Sequence, residues 1–211
     1  MFEIKLYDCT LLEEQDVFQA KLALVGEHRQ QKVMSYAMGK SQRLSLGAGL
    51  LLEEYLHSLG LSEADLAFGT QGKAFLPSYP DCHFNLSHGG DYAVLATGDR
   101  PLGVDIEKIK ENRFPMGQRC FAPEEVAQIA NCSGEEEKNH LFFRLWVMKE
   151  SYLKATGKGL SLGLKSFAVD GETKDFLYPE TGYSFHEVSP PLLGYVMALC
   201  QRKKDRKNDS V

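Results

Sequence analysis

The chain alternates between stretches of helical and of strand-like hydrophobic spacing. Apolar residues recur at every second position, or run continuously, at 2–8, 83–88, 91–97, 103–107, 165–169, 183–188 and 194–200. Apolar residues recur every three or four positions at 11–38, 41–58 and 136–155. Glycines follow the last two of these helical stretches, at Gly60 and Gly157, where helices commonly end. The interleaving of helical and strand-like stretches predicts an α+β fold.

One strand-like stretch and one helical stretch carry paired charges. Asp105 and Glu107 are two positions apart, so a strand would project both carboxylates from the same face. Glu150 and Lys154 are four positions apart, which is about one turn of a helix. Because Mg²⁺ prefers oxygen ligands, we predict a metal site formed by Asp105, Glu107 and Glu150. The alternative is that these charges cover the solvated faces of an edge strand and a surface helix.

Groups that can bind phosphate are spread over several turns and strand ends. The candidate cations are Lys154, Lys73, Lys158, Arg43 and His88. Ser87 and the backbone N–H groups of Gly89 and Gly90 form a candidate anion-binding loop. Because a short turn joins the strands at 91–97 and 103–107, we expect them to be neighbours in one sheet, with this loop near the carboxylates. Together these groups predict metal-assisted phosphoryl transfer or pyrophosphate cleavage.

The order of elements repeats faintly in the two halves of the chain. A helix, a Gly-Lys turn and a Tyr-led apolar strand occur at 41–58, 72–73 and 92–97, and again at 140–155, 157–158 and 195–200. This repetition favours two similar α/β lobes, at 1–103 and 104–200, and a cleft between two lobes is a common place for a ligand. Residues 201–211 are basic and lack a core-forming pattern, which predicts a flexible tail.

The composition narrows the classes of partner and compartment. A formal net charge of −5 argues against a general nucleic-acid-binding protein, because phosphate binding relies on an excess of Lys and Arg. The sequence has no apolar run of membrane-spanning length, and its first residues do not resemble a signal peptide. The five cysteines are scattered and form no C-x-x-C motif, which is typical of free thiols in a reducing compartment. We therefore expect a cytoplasmic protein that binds neither nucleic acid nor membranes.

Four motifs, read in order, resemble those of the Sfp-type 4′-phosphopantetheinyl transferases. They are Gly72-Lys73, Phe84-Asn85-Leu86-Ser87-His88-Gly89-Gly90, Gly103-Val104-Asp105-Ile106-Glu107, and Trp146-x-x-Lys149-Glu150-Ser151-x-x-Lys154. The resemblance continues through Gly157-Lys158-Gly159-Leu160-Ser161-Leu162 and covers most of the chain. Four motifs in the right order and spacing are a more specific signal than the paired acidic residues alone.

The resemblance implies a particular reaction. Such enzymes transfer the 4′-phosphopantetheine arm of coenzyme A to a serine hydroxyl of an apo acyl or peptidyl carrier protein, depend on Mg²⁺ and release 3′,5′-ADP. It also implies the pseudo-dimer fold, with coenzyme A bound between the lobes of a single chain that can act as a monomer. The sequence does not indicate which carrier protein or biosynthetic pathway is served.

The resemblance also assigns roles to individual residues. The metal ligands would be Asp105, Glu107 and Glu150. Contacts to coenzyme A would come from Ser87, His88 and Lys154 at its phosphates, from Gly72, Lys73 and Ala74 along its adenine, and from Arg43 near its 3′-phosphate. The catalytic residues would be Glu150 and Lys154. Glu150 or a metal-bound water would accept the proton of the carrier serine, and Glu150 is our preferred acceptor.

The sequence before Arg43 departs from the family pattern. Related enzymes often carry basic residues there that bind the 3′-phosphate, whereas residues 27–32 of this chain are poorer in lysine. His28 is the expected replacement, with Arg29 or Lys32 as alternatives.

Two other functions stay open at this point. One is a different Mg²⁺-dependent phosphodiesterase or nucleotidyl transferase that uses the same three carboxylates. The other is a non-catalytic module that binds coenzyme A or a carrier protein. The presence of all three acidic residues together with Lys154 argues against the module, because a chain without catalysis should tolerate their loss.

Overall fold

A computed structural model of the chain describes residues 1–111, 113–179, 181–188 and 192–204. Its first half contains β1 (Phe2–Asp8), α1 (Gln15–Leu22), α2 (Glu27–Met34), α3 (Gly39–Ser58), β2 (Ala67–Phe68), β3 (Ala74–Phe75), β4 (His83–Gly89) and β5 (Tyr92–Gly98). Its second half contains β6 (Leu102–Lys108), α4 (Phe114–Cys120), α5 (Pro123–Ala130), α6 (Glu135–Thr156), β7 (Ala168–Val169), β8 (Phe176–Tyr178), β9 (Tyr183–Glu187) and β10 (Tyr195–Arg202). Helices and strands mix in both halves, which confirms the predicted α+β class.

Two three-stranded antiparallel sheets lie at the centre of the described structure. The first sheet has the strand order β1-β5-β4, and the second has the order β6-β10-β9. Strand β5 is paired along both edges within the first sheet, whereas β6 pairs with β10. The expectation that these consecutive strands are neighbours in one sheet is therefore wrong. The turn between them carries the chain from the first sheet to the second.

The two sheets pack face to face, and a long helix covers the outer face of each. Val94 and Ala96 of β5 pack against Val104 and Ile106 of β6 in one apolar cluster. Leu95 points the other way, into a cluster with apolar residues of α3. Because β5 is buried on both faces, its sequence is continuously apolar rather than alternating. Helix α6 packs in the same way on the second sheet, so the two lobes predicted from the repetition are similar in architecture.

Several element boundaries differ from the sequence prediction. The helical pattern at 11–38 is divided into a 3₁₀ turn at Cys9–Leu12 followed by α1 and α2. The strand expected at 165–169 is reduced to β7, because a 3₁₀ turn occupies Leu164–Ser166. Strand β10 continues through Arg202, so the first two residues of the predicted tail belong to the second sheet. Residues 205–211 of that tail lie outside the described residues.

The junction between the lobes falls in the turn before β6. All strands of the first sheet end by Gly98, and β6 begins at Leu102. The boundary expected between residues 103 and 104 lies within this strand. We keep the division into lobes at 1–103 and 104–200 as a proposal and note that β6 as a whole belongs to the second sheet.

Asp91, in the turn between β4 and β5, connects the two lobes. Its carboxylate accepts hydrogen bonds from Lys40 Nζ at 2.6 Å, Lys108 Nζ at 3.0 Å and the Tyr195 hydroxyl at 3.1 Å. Lys40 belongs to the first lobe, whereas Lys108 and Tyr195 extend from the second sheet. The hydrogen bonds from Lys40 and Lys108 lower the pKa of the Asp91 carboxyl well below its ordinary range.

We expect Asp91→Asn to lower the free energy of unfolding at neutral pH by about 1 kcal/mol, because the amide loses these charged hydrogen bonds. The folded-state pKa is depressed, so the wild-type contribution is present above the ordinary Asp pKa of about 3.9 and is lost as the pH falls through the folded-state value. The difference between wild type and variant, measured by urea denaturation, should therefore shrink as the pH falls below about 4. Asp81→Asn, which removes an exposed carboxylate, is the matched control. A difference that stays constant with pH would contradict the assignment.

Candidate active site at the junction of the lobes

Strands β4 and β6 approach each other closely where the lobes meet. Asn85, Ser87 and Gly89 share one side of β4, because side chains alternate along a strand. The Asn85 side-chain oxygen accepts a hydrogen bond from the Val104 N–H at 2.9 Å. A Cβ at Gly89 would overlap the carbonyl of Ile106. Small and polar residues on this side of β4 therefore allow the backbone of β6 to lie against it.

Helix α6 lies directly on β6 at Gly103. A Cβ at this position would overlap the backbone of α6 at Ser151 and Ala155. Glycine is therefore required for the close approach of helix and strand. As a consequence, Lys154 in the last turn of α6 is held over the strand that carries Asp105.

Lys154 links the helix to both strands. Its ammonium donates hydrogen bonds to Asp105 Oδ1 at 2.7 Å, to Ser87 Oγ at 2.8 Å and to the Val104 carbonyl at 3.2 Å. The Ser87 hydroxyl donates to the same oxygen of Asp105 at 2.7 Å. The side chain of Asp105 is 8% exposed, and that of Lys154 is 28% exposed. The structure thus brings together three of the predicted site residues, and it does so across the junction of the lobes.

The other two predicted acidic residues lie within electrostatic range of Asp105. Glu107 and Glu150 are both partly buried. Burial raises the pKa of each carboxyl, and the negative charge of Asp105 raises it further. Glu150 contributes to the raised pKa of Glu107, whereas Lys154 lowers the pKa of both. The three carboxylates therefore form one interacting group with excess negative charge.

This group fits a hard divalent cation in its chemistry. The second oxygen of Asp105, Oδ2, is buried and has no hydrogen-bond partner among the described residues. An unpartnered carboxylate oxygen beside two carboxylates of raised pKa would be stabilised by added positive charge. Across the described ranges, however, no three His, Cys, Asp or Glu side chains lie close enough together to form a complete metal site. The roles of Asp105, Glu107 and Glu150 as ligands remain a prediction.

A cavity of about 400 Å³ opens next to this cluster, between α2, α3, β4 and the β2–β3 hairpin. The predicted residues that line it are Gly72, Lys73, Ala74, Ser87, His88, Asp105 and Lys154. The sequence analysis did not assign Tyr36 and Phe68, which line it as well and are 38% and 63% exposed. A cavity of this size can hold a nucleotide-sized ligand.

Three basic residues besides Lys73 and Lys154 face this cavity. Arg29 and Lys32 line it from α2, three positions apart on one face of the helix. Arg29 Nε donates to Glu63 Oε1 at 2.7 Å, which offsets its charge. His88 is exposed at the rim, yet the surrounding protein atoms lower the pKa of its imidazole, and Lys154 and Lys32 add to the effect, so the neutral imidazole is favoured. Of these three residues, Lys32 is therefore the one whose positive charge is not offset or weakened by its described surroundings.

Three predicted phosphate-binding residues lie elsewhere. Arg43 lines a separate small pocket, where its guanidinium donates to Glu13 Oε1 at 3.3 Å. His28 is exposed on α2 and lies outside the residues that line the large cavity. The alternatives left open by the sequence, Arg29 and Lys32, are the ones that the structure brings to the cavity. Lys158, a further candidate, is exposed beyond the end of α6 and does not line it either.

Lys73 lines the cavity, but its ammonium is directed at backbone oxygens. It donates hydrogen bonds to the carbonyls of Lys154 at 2.6 Å, Leu102 at 2.9 Å and Ala155 at 3.1 Å. Burial lowers the pKa of this ammonium to about 8. This arrangement differs from the predicted one, in which the ammonium of Lys73 binds a phosphate.

The expected anion-binding loop at Gly89 and Gly90 is a tight hairpin. Gly89 ends β4 and packs on β6, as described above. Gly90 has a φ of +59°, which favours glycine, and a Cβ there would overlap the ring of Tyr195. Neither glycine lines the large cavity. Of this predicted loop, only Ser87 reaches the cavity, together with the neighbouring candidate cation His88.

A buried ion pair fixes α6 beside the site, and the sequence analysis did not find it. Lys149 donates to both oxygens of Glu125, at 2.6 Å and 2.8 Å, and to the Phe167 carbonyl at 2.7 Å. Both side chains are 0% exposed. Burial raises the pKa of Glu125 and lowers that of Lys149. The available signal in the sequence was Lys149, which stands directly before Glu150 in the motif. Its partner Glu125 lies 24 residues away, and no local sequence pattern connects the two.

Comparison with protein families gives two adjoining matches. Residues 13–100 match the model of the 4′-phosphopantetheinyl transferase N-terminal domain. Residues 101–200 match the model of the 4′-phosphopantetheinyl transferase superfamily. The first match covers strands β4 and β5 of the first sheet but not β1, the second covers β6, β9 and most of β10, and the two meet within the turn that joins the lobes.

Individual relatives share much of the chain. The 4′-phosphopantetheinyl transferase Sfp of Bacillus subtilis strain 168 is 34% identical over 192 residues, which cover 87% of this chain and 84% of that protein. The 4′-phosphopantetheinyl transferase ffp of Bacillus subtilis is 35% identical over the same coverage. Another Bacillus subtilis 4′-phosphopantetheinyl transferase is 37% identical over 149 residues, which cover 70% of this chain and 66% of the relative. The chain therefore belongs to the 4′-phosphopantetheinyl transferase superfamily, as its motifs predicted.

Proposed function

We propose that this chain transfers the 4′-phosphopantetheine arm of coenzyme A to a serine hydroxyl of an apo acyl or peptidyl carrier protein. The reaction depends on Mg²⁺ and releases 3′,5′-ADP. The observation that carries the proposal is the continuity between the large cavity and the Lys154–Asp105 cluster. A cavity of nucleotide size that ends at the ammonium of Lys154 and the carboxylate of Asp105 suits a substrate whose reacting part is a pyrophosphate.

The lining of the cavity suggests how coenzyme A is oriented. The adenine lies along the β2–β3 hairpin, near Gly72 and Ala74. The 3′-phosphate faces the side of the cavity formed by Arg29, Lys32 and His88, where Lys32 supplies the positive charge. This orientation directs the pyrophosphate towards Ser87 and Lys154. The pantetheine arm then extends out of the cavity past the carboxylates.

The residues of this chain stabilise the charge that develops during transfer. The serine oxygen of the carrier forms a bond to the phosphorus that bears the pantetheine arm, while the bond from that phosphorus to the oxygen of the leaving 3′,5′-ADP breaks. Lys154 donates to the pyrophosphate oxygens, and its hydrogen bonds to Asp105 and Ser87 hold the ammonium in position beforehand. Asp105, Glu107 and Glu150 would hold Mg²⁺, which would supply further positive charge near the pyrophosphate.

Glu150 is the proposed acceptor of the serine proton. Burial and the charge of Asp105 raise the pKa of its carboxyl, which makes the carboxylate a stronger base than an exposed glutamate. As a ligand of a cation, Glu150 would lose part of that basicity. A water molecule is the second candidate acceptor for this reason.

The same proposal covers compartment and assembly. The cysteines at positions 9, 82, 120, 132 and 200 are free thiols, as is usual in a reducing compartment such as the cytoplasm. Among the described residues, no helix is long and apolar enough to cross a membrane. Because the two lobes of one chain already form the site, we propose that a monomer is active.

We expect Asp105→Asn to slow carrier modification by about 100-fold, because Lys154 loses its charged acceptor and a metal ligand becomes neutral. The assay mixes protein, coenzyme A, Mg²⁺ and an apo carrier protein, and it measures the carrier by mass spectrometry over time. Wild type should add the mass of one phosphopantetheine arm. Asp99→Asn, which changes an exposed aspartate outside the site, is the control and should match wild type.

Other results of this assay identify the alternative functions. Cleavage of coenzyme A without any gain in carrier mass would indicate a phosphodiesterase. Tight coenzyme A binding with neither cleavage nor mass gain, across several carriers, would indicate a binding module. Equal rates for wild type and Asp105→Asn would contradict the proposed role of the carboxylate cluster.

We expect Lys32→Ala to weaken the binding of 3′,5′-ADP by about tenfold, because it removes a cation from the cavity wall. Arg43→Ala, which removes a cation paired with Glu13, should change the affinity by less than about twofold. Isothermal titration calorimetry at low and at moderate salt measures both, and the effect of Lys32 should shrink as salt rises. The reverse ranking would restore the role that the sequence resemblance assigns to Arg43.

A further inference from the structure

Lys73 connects the β2–β3 hairpin of the first lobe to the end of α6 in the second. An ammonium has three N–H donors. Those of Lys73 are matched by three backbone acceptors, the carbonyls of Lys154, Leu102 and Ala155. No donor is left for a phosphate while these bonds are intact.

Two of these acceptors are helix-terminal carbonyls. The last four carbonyls of a helix have no partner within it, and they carry the negative end of the helix dipole. Helix α6 ends at Thr156, so the carbonyls of Lys154 and Ala155 belong to this set. Gly157, with a φ of +68°, ends the helix, and its N–H reaches the Lys154 carbonyl only at 3.3 Å. Lys73 therefore provides the charged cap of α6.

The stem of Lys73 lies beside the end of α6. A Cβ built at Gly157 would lie 3.5 Å from Cδ of Lys73, which is ordinary van der Waals contact. Gly103, the residue after Leu102, allows β6 to approach the last turns of α6. The ammonium of Lys73 thus reaches the end of the helix and the start of the strand together.

We propose that Lys73 is a positioning residue that fixes Lys154 for the transfer reaction. The ammonium of Lys73 binds the backbone carbonyl of Lys154, while the ammonium of Lys154 reaches Asp105 and Ser87. Lys154 is therefore held at its backbone carbonyl by Lys73 and at its side-chain ammonium by Asp105 and Ser87. The inference rests on the proposed function and replaces a direct contact between Lys73 and a phosphate.

Removal of the cap should act on turnover rather than on substrate affinity. Lys73→Met keeps most of the apolar stem but removes the charged donor from two helix-terminal carbonyls, of which that of Lys154 keeps only the Gly157 N–H at 3.3 Å, and this loosens the last turn of α6. We expect kcat to fall about tenfold and KM for coenzyme A to change less than about threefold. A direct phosphate contact predicts the opposite, namely a raised KM and weaker 3′,5′-ADP binding.

Two further variants separate positioning from general stability. Lys73→Arg retains donors at the same place and should keep kcat within about threefold of wild type. Tyr195→Phe removes a different contact between the lobes, at Asp91, and should leave kcat unchanged while lowering the melting temperature. Loss of kcat in Tyr195→Phe equal to that in Lys73→Met would show that any weakened lobe contact has this effect and would overturn the proposal.

A double-mutant cycle tests the connection to Lys154 itself. If Lys73 acts through Lys154, then Lys73→Met should cost less than about twofold in kcat when Lys154→Met is already present. An additional tenfold loss in that background would overturn the inference. Wild-type turnover in the same assay distinguishes the proposed function from the role of Lys73. If the wild type does not modify the carrier, the proposed function is rejected. If the wild type is active and the effects of the two substitutions on kcat are additive, only the positioning role is rejected. Should Lys73→Met not fold, the same cycle is run with Lys73→Gln, which retains two donors.

Discussion

The contact of Lys154 with Asp105 and Ser87 is the interaction on which the site depends. It joins three elements, α6, β6 and β4, and two lobes, through hydrogen bonds of 2.7 and 2.8 Å. A lysine and an aspartate that are both largely removed from water interact more strongly than they would on the surface. The same burial leaves the second oxygen of Asp105 without a hydrogen bond, so the cluster retains capacity for a cation. The charged groups that we propose bind the pyrophosphate are therefore held together by the fold.

The rest of the structure can be understood as what brings these elements within reach of each other. Two sheets pack face to face through the apolar residues of β5 and β6, and each is covered by one long helix. Glycines at 89 and 103 let β6 lie against β4 on one side and α6 on the other. Asp91 and Lys73 then connect the lobes by charged hydrogen bonds at two separate places. A site shared between lobes requires such contacts, because each lobe carries only part of the chemistry.

The local periodicity of apolar residues predicted most of the large helices and strands. It failed where the structure depends on contacts between residues far apart in the sequence. The paired residues Asp105 and Glu107 and the helix of Glu150 are where the sequence puts them. The sheet partner of β6 could not be read from the sequence, because it is β10, almost ninety residues further along the chain. The roles expected for Arg43 and Lys73 illustrate the same limit. Arg43 lies on a helix and Lys73 on a turn, where either could bind a phosphate. Arg43 instead donates to Glu13, and Lys73 donates to three backbone carbonyls. Only the tertiary fold brings these partners close.

Diffraction from crystals grown with Mn²⁺ and 3′,5′-ADP would show whether the cluster binds metal and nucleotide together. Mn²⁺ accepts the oxygen ligands that Mg²⁺ accepts and is visible by its anomalous signal. We expect an anomalous peak at the carboxylates of Asp105, Glu107 and Glu150, with the nucleotide in the adjoining cavity and its phosphate at Lys154. A peak at any other group, or nucleotide bound outside that cavity, would contradict it.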